Sequence, residues 1–179
     1  VLWWLAERTG LFRGETLSEG TSVLVGEEKE RSGEHSPETK EFELKEFATN
    51  LDVPWSAAFT SPERLLVTER AGRVVVIENG VKKEAPLYTF SGVSSKSEEG
   101  LMGMVLDPKY QENKYVYFAY AYQTDSAMQV KVVRLTDQGE SLAEEQIIID
   151  GLPAAQYHAG CRIAFGPDQK LYITTGDAT

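Results

Sequence analysis

Two side chains near the end of the sequence have the types needed to move a proton, His158 and Asp177. A carboxylate beside an imidazole fixes the ring's tautomer and stabilises its cation, which is what a general base needs to take a proton from an alcohol. Whether the two meet depends on what lies between them. Cys161 to Phe165 and Lys170 to Thr175 are short apolar and β-branched runs, and Gly166-Pro167-Asp168-Gln169 are turn formers, so the stretch reads as a β-hairpin. A turn centred between Pro167 and Asp168 opposes Phe165 to Lys170, Gly160 to Thr175 and His158 to Asp177; opposed residues share a face, with Cβ atoms about 5 Å apart. A three-residue turn would shift the register by one and set the pair diagonally. The competing reading is structural: His158 as a loop residue bonded to backbone, and Asp177 as a turn former after Gly176.

The elements that must position these residues are strands. From Glu41 onward, apolar runs of five to eight residues alternate with turn signals, and no helical periodicity appears. Strands are predicted at 42–47, 54–59, 64–68, 73–78, 85–90, 101–106, 115–122, 129–136, 146–150, 162–165 and 170–175. One grammar recurs: apolar strand, Pro-containing turn, apolar strand, with the prolines at Pro62, Pro108 and Pro167. Such a repeat favours an all-β propeller over a sandwich, with strands like 115–122, apolar on both faces, lying between neighbouring blades.

The residues around the pair carry more than a pattern. His158 followed by Arg162-Ile163-x-Phe165-Gly166-Pro167-Asp168-x-Lys170-Leu171-Tyr172 and Thr174-Thr175-Gly176-Asp177 resembles the signature of the soluble quinoprotein glucose/sorbosone dehydrogenases, also called aldose sugar dehydrogenases. Glu98-Glu99-Gly100-Leu101-Met102-Gly103-Met104-x-x-Asp107-Pro108 is similar to a second landmark of that family. Asn50-Leu51-x-x-Pro54-Trp55 with Thr68-Glu69-Arg70-x-Gly72-Arg73 is similar to its first blade. The resemblance covers residues 42 to 179. It implies a six-bladed β-propeller that binds pyrroloquinoline quinone (PQQ) and calcium, oxidises the C1 hydroxyl of an aldose sugar and passes electrons to an external acceptor. It also implies that His158 is the base and Asp177 its orienting partner. Glu98 stands where a PQQ contact, Gln or Glu, is expected; Arg162 is either a second cofactor contact or half of a blade-edge salt bridge. Cys161 replaces a family glycine and reads as a small buried hydrophobe, and Tyr157 stands where some members have an acidic cofactor contact. No metal ligand is assigned, because the family's calcium ligands and basic PQQ ligands fall later than any residue here.

Length sets the remaining expectations. At roughly 40 to 50 residues per blade, the 179 residues hold only the first two to three blades, so the sequence is expected to be the N-terminal part of a longer propeller. Its partners would then include the remaining blades or another chain, and alone it is expected to be inactive. Residues 1–40 are polar and read as a flexible leader, His35 included, ahead of a partial propeller at 41–179. Leu2-Trp3-Trp4-Leu5 reads as a buried or interfacial apolar cluster, with the tail of a signal or anchor segment as the alternative. The net charge of −10, with acids spread along the chain, argues against nucleic acid as a partner. No run of about 18 apolar residues exists to span a membrane. The single cysteine precludes an internal disulfide. An extracellular or periplasmic location is expected from the resemblance, with membrane anchoring through a missing N-terminal segment as the alternative. The runner-up function is a non-catalytic extracellular propeller module that binds a protein or glycan.

Overall fold

The computed structural model describes residues 45–178, which fall in the second of two units, Leu44–Thr179. The predicted leader and the first half of the 42–47 strand lie outside the described residues, and 45–50 pairs with no strand. The described residues form β1 (Pro54–Ser61), β2 (Arg64–Glu69), β3 (Arg73–Glu78), β4 (Val81–Lys82), β5 (Tyr88–Thr89), β6 (Leu101–Leu106), α1 (Tyr110–Asn113), β7 (Tyr115–Gln123), β8 (Met128–Asp137), β9 (Leu142–Pro153), β10 (Cys161–Phe165) and β11 (Leu171–Thr175). Among them no helix is long and apolar enough to cross a membrane.

The strands pair as antiparallel meanders. In the first, β1, β2 and β3 run in order, and β4 and β5 share the fourth place. β4 pairs with the end of β3 at Ile77 and Glu78, and β5 with its start at Arg73 and Val74, so the two are one outer strand interrupted in the middle. Pro86 lies in that gap and has no N–H to give a ladder, which reduces the predicted 85–90 strand to Tyr88–Thr89. The second meander is β6-β7-β8-β9, and β10-β11 is a hairpin. The innermost strands lie side by side, β6 between β1 and β10. This is a β-propeller: two four-stranded blades and the inner hairpin of a third.

Alternation along the strands explains the packing. Successive side chains point to opposite faces, and here both faces are apolar. Leu66, Val74 and Val76 face Leu101, Met104, Val116 and Phe118 between the first two blades. Leu65, Val67, Val75 and Ile77 cover the other face of the first blade, against Ala48 and Leu51. Met102, Ala119, Ala121, Val130 and Val132 meet Cys161 and Ile163 between the second blade and the hairpin. Each large apolar side chain so buried contributes about 1.5–3 kcal/mol.

The blades approach closely because β6 carries glycine. A Cβ on Gly103 would sit 2.9 Å from the Cys161 carbonyl oxygen and 3.3 Å from the Ile163 nitrogen, both backbone atoms of β10. The first two blades are also tied by a buried charge: the Asp137 carboxylate takes two hydrogen bonds from Arg64 (2.6 and 3.2 Å) and one from the Tyr110 hydroxyl (2.5 Å). Tyr110 belongs to α1, a single turn that the sequence did not announce. Asp107 starts it by accepting from the Lys109 N–H at 2.8 Å, and Lys114, at φ 59°, stops it.

Candidate active site

The hairpin pairs Cys161 with Thr175, Arg162 with Thr174 and Phe165 with Leu171. This is one residue away from the register that a turn centred between Pro167 and Asp168 gives, and corrects the opposition of Phe165 to Lys170. The connection is the three-residue alternative: the Gly166 N–H donates to the Lys170 carbonyl at 2.9 Å, and Gln169 takes a left-handed φ of 62°. A loop of this kind inserts one residue on one side, which moves every later pair.

His158 and Asp177 nevertheless meet. Nδ1 of His158 lies 3.0 Å from Oδ1 of Asp177. Both lie beyond the last ladder pair, where the backbone is no longer extended: His158 has φ 54° and Ala178 φ 57°. Gly176 makes the bend possible. Its N–H donates to the Gly160 carbonyl at 2.7 Å, and a Cβ there would fall 1.6 Å from the His158 carbonyl oxygen, so only glycine fits. The pair is open to solvent, with the His158 side chain 60% and the Asp177 side chain 65% exposed.

Glu98 comes to the same end of the fold. Its Oε2 accepts from the His158 backbone N–H at 2.9 Å, and its own N–H donates to the Gln156 carbonyl at 3.1 Å. The loop that presents it is built by its neighbour. Glu99 is fully buried and accepts from the Ser94 hydroxyl (3.1 Å) and from the Lys96 and Ser97 N–H groups (2.8 Å each). Burial alone would raise its pKa; these donors outweigh that and hold it below the usual carboxylate range. The Arg70 guanidinium, from the first blade, donates to the Ser97 carbonyl. In the sequence Glu99 and Arg70 stand only as motif positions, with no role assigned to either. Two adjacent glutamates before a glycine give no local signal of which one turns inward.

Arg162 is exposed, and no salt bridge to it occurs among the described residues, so the blade-edge ion pair is absent there. It lines a cleft of about 330 Å³ with Trp55, Ser56, Gly103, Gly160, Thr174 and Gly176, running across the inner strands. Cys161 borders the same cleft but is buried, and loss of solvent pushes its thiol up to about 11, so at neutral pH it is a protonated, inert hydrophobe. Tyr157 is exposed. Among the described residues no three His, Cys, Asp or Glu side chains gather to hold a metal ion.

Residues 51–179 match the family model described as Glucose / Sorbosone dehydrogenase. This chain belongs to the glucose/sorbosone dehydrogenase family. Among solved structures, this chain is similar to the PQQ-bound form of aldose sugar dehydrogenase from Streptomyces coelicolor, at 33% identity and TM-score 0.67, over 75% of this chain and 41% of that one. Among curated proteins it is 27% identical over 150 residues to quinoprotein glucose dehydrogenase B of Acinetobacter calcoaceticus, covering 78% of this chain and 31% of that protein. It is 25% identical over 155 residues to human Hedgehog-interacting protein, covering 76% of this chain and 22% of that protein. This family member thus spans about a third of the length of the curated dehydrogenase it matches.

Proposed function

We propose that this chain contributes the general-base side of a PQQ-dependent sugar dehydrogenase, one that oxidises the C1 hydroxyl of an aldose. The observation that carries this reading is the 3.0 Å contact between His158 and Asp177, next in sequence to Gly176, which lines the cleft. With Nδ1 donating to the carboxylate, Nε2 is left as the acceptor for the anomeric hydroxyl proton, and Asp177 stabilises the imidazolium that results. The exposure of the dyad lets a sugar reach it from solvent. PQQ, when bound, supplies the two-electron acceptor for the C1 hydride. Arg162, in the cleft, suits one of its carboxylates, and Glu98 stands beside the base. One guanidinium against Glu98 and Asp177 does not balance a tricarboxylate, so the remaining basic groups and a calcium site are proposed to come from other blades.

The test is a chimera. Residues 51–179 replace the matched segment of the Streptomyces coelicolor aldose sugar dehydrogenase, and aldose-dependent dye reduction is assayed with PQQ and calcium, beside the 179-residue chain alone. Turnover by the chimera that His158→Ala removes, with none from the chain alone, is the expected result. A chimera that binds PQQ and oxidises sugar equally well with His158→Ala would refute the assignment. A binding-module reading has a specific observation behind it, the similarity to Hedgehog-interacting protein. A module that only binds has no use for an imidazole and a carboxylate held together, and the dyad therefore favours the enzyme.

A further inference from the structure

The turn that carries His158 is held from two sides. On one, Gly176 packs so tightly that no side chain could replace its hydrogen. On the other, Glu98 makes two hydrogen bonds to it: the Glu98 N–H reaches the Gln156 carbonyl at 3.1 Å, and Glu98 Oε2 receives the His158 N–H at 2.9 Å. Between them His158 keeps a left-handed φ of 54°, a conformation that residues with a side chain leave unless neighbours hold them in it. The contact to Asp177 does not supply that hold, because a side-chain pair as exposed as this one binds its partners weakly.

We propose that Glu98 is a positioning residue for the base: its carboxylate fixes the His158 backbone and thereby aims the imidazole at Asp177. The proposal rests on reading His158 and Asp177 as the base and its partner. Glu98 can do this because its own loop is anchored inside the fold, by the three hydrogen bonds to buried Glu99 and by the Arg70 guanidinium on the Ser97 carbonyl. The base on the third blade is therefore held by a loop that enters the second blade and is anchored to a residue of the first.

The experiment uses the isotopically labelled 179-residue chain, comparing wild type, Glu98→Ala and Glu98→Gln by amide exchange and by the imidazole nitrogen shifts of His158. Glu98→Ala should speed exchange at the His158 amide about tenfold, the loss of one charge-assisted hydrogen bond. It should also move the imidazole shifts toward those of a ring averaging its tautomers, while the Ile163 and Ile173 amides of the β10–β11 ladder stay unchanged. Glu98→Gln keeps a side-chain oxygen that accepts, and should restore both readouts. Unchanged exchange and shifts in Glu98→Ala would overturn the proposal. So would ladder amides that loosen as much as His158, or a Gln variant that restores nothing. These readouts need no turnover, so they separate from the chimera assay: a clamp that behaves as expected beside a dispensable His158 sinks the catalytic reading alone.

Discussion

His158 and Asp177 touch at 3.0 Å although the hairpin ladder does not oppose them. Continued outward, the register that pairs Cys161 with Thr175 would set Asp177 across from Ala159. His158 and Asp177 both lie past the last ladder pair, where the backbone leaves the extended form, with φ 54° at His158 and 57° at Ala178. In the chimera, Asp177→Asn should lower kcat by about 10²–10⁴ with little change in KM, the usual range for loss of positioned acid–base catalysis. Folding stability should move by less than about 1 kcal/mol, since the pair is largely solvated. An Asn variant with undiminished kcat would remove Asp177 from the mechanism.

Gly103 should not tolerate even alanine. The added methyl would meet the Cys161 carbonyl and the Ile163 nitrogen, backbone atoms that cannot rotate aside as a side chain can. Overpacking of this sort costs about 1–3 kcal/mol. Urea unfolding of Gly103→Ala should show a lowered midpoint at unchanged slope; a midpoint equal to wild type would mean that the blades are looser than described.

Acid should destabilise the fold through two fully buried carboxylates, Glu69 and Glu99. Burial pushes both pKa values up. For Glu69 the Asp52 N–H, the Arg73 guanidinium and Lys82 overcome it, and for Glu99 the loop amides and Ser94 do, so both end below the ordinary 4.5. A depressed carboxylate contributes stability above its unfolded pKa and loses it as pH falls through the folded one. Thermal midpoints should hold steady from neutral pH to about 5 and fall below about 4.5. Glu99→Gln should lower the neutral midpoint and flatten the acid limb, and an acid limb as steep as wild type in that variant would contradict this account.

Cys161 should resist alkylation in the folded chain. With its pKa near 11 instead of 9, the thiolate at pH 8 is about 100-fold scarcer than in the unfolded chain, before steric protection is counted. Iodoacetamide labelling followed by mass spectrometry, with and without urea, measures the ratio. Equal rates would show the residue to be exposed.

Much of the architecture was legible in the chain. The predicted strands 73–78 and 101–106 have the bounds the structure gives them, and the predicted strands at 54–59, 101–106 and 162–165 that precede the repeated Pro turns are β1, β6 and β10. Regular alternation of apolar residues is a local property, and turn formers mark its limits. Errors arose where a few residues decided the outcome against the pattern. The outer strand of the first blade broke at Pro86, and a one-turn helix formed at Tyr110 where no periodicity can show in four residues.

By itself the sequence determined that the chain is an all-β propeller of the glucose/sorbosone dehydrogenase family, and it named His158, Asp177, Glu98 and Arg162. Composition, period and motif are written along the chain and need no third dimension to be read. Only the tertiary structure decided how those four residues relate. The three-residue turn set the register, Gly176 allowed the bend that restores the dyad, and Glu99 turned inward so that Glu98 could face His158. Each of these depends on contacts between residues distant in sequence, chiefly hydrogen bonds to buried or backbone groups, and such partners are chosen by packing across blades rather than by the residues on either side.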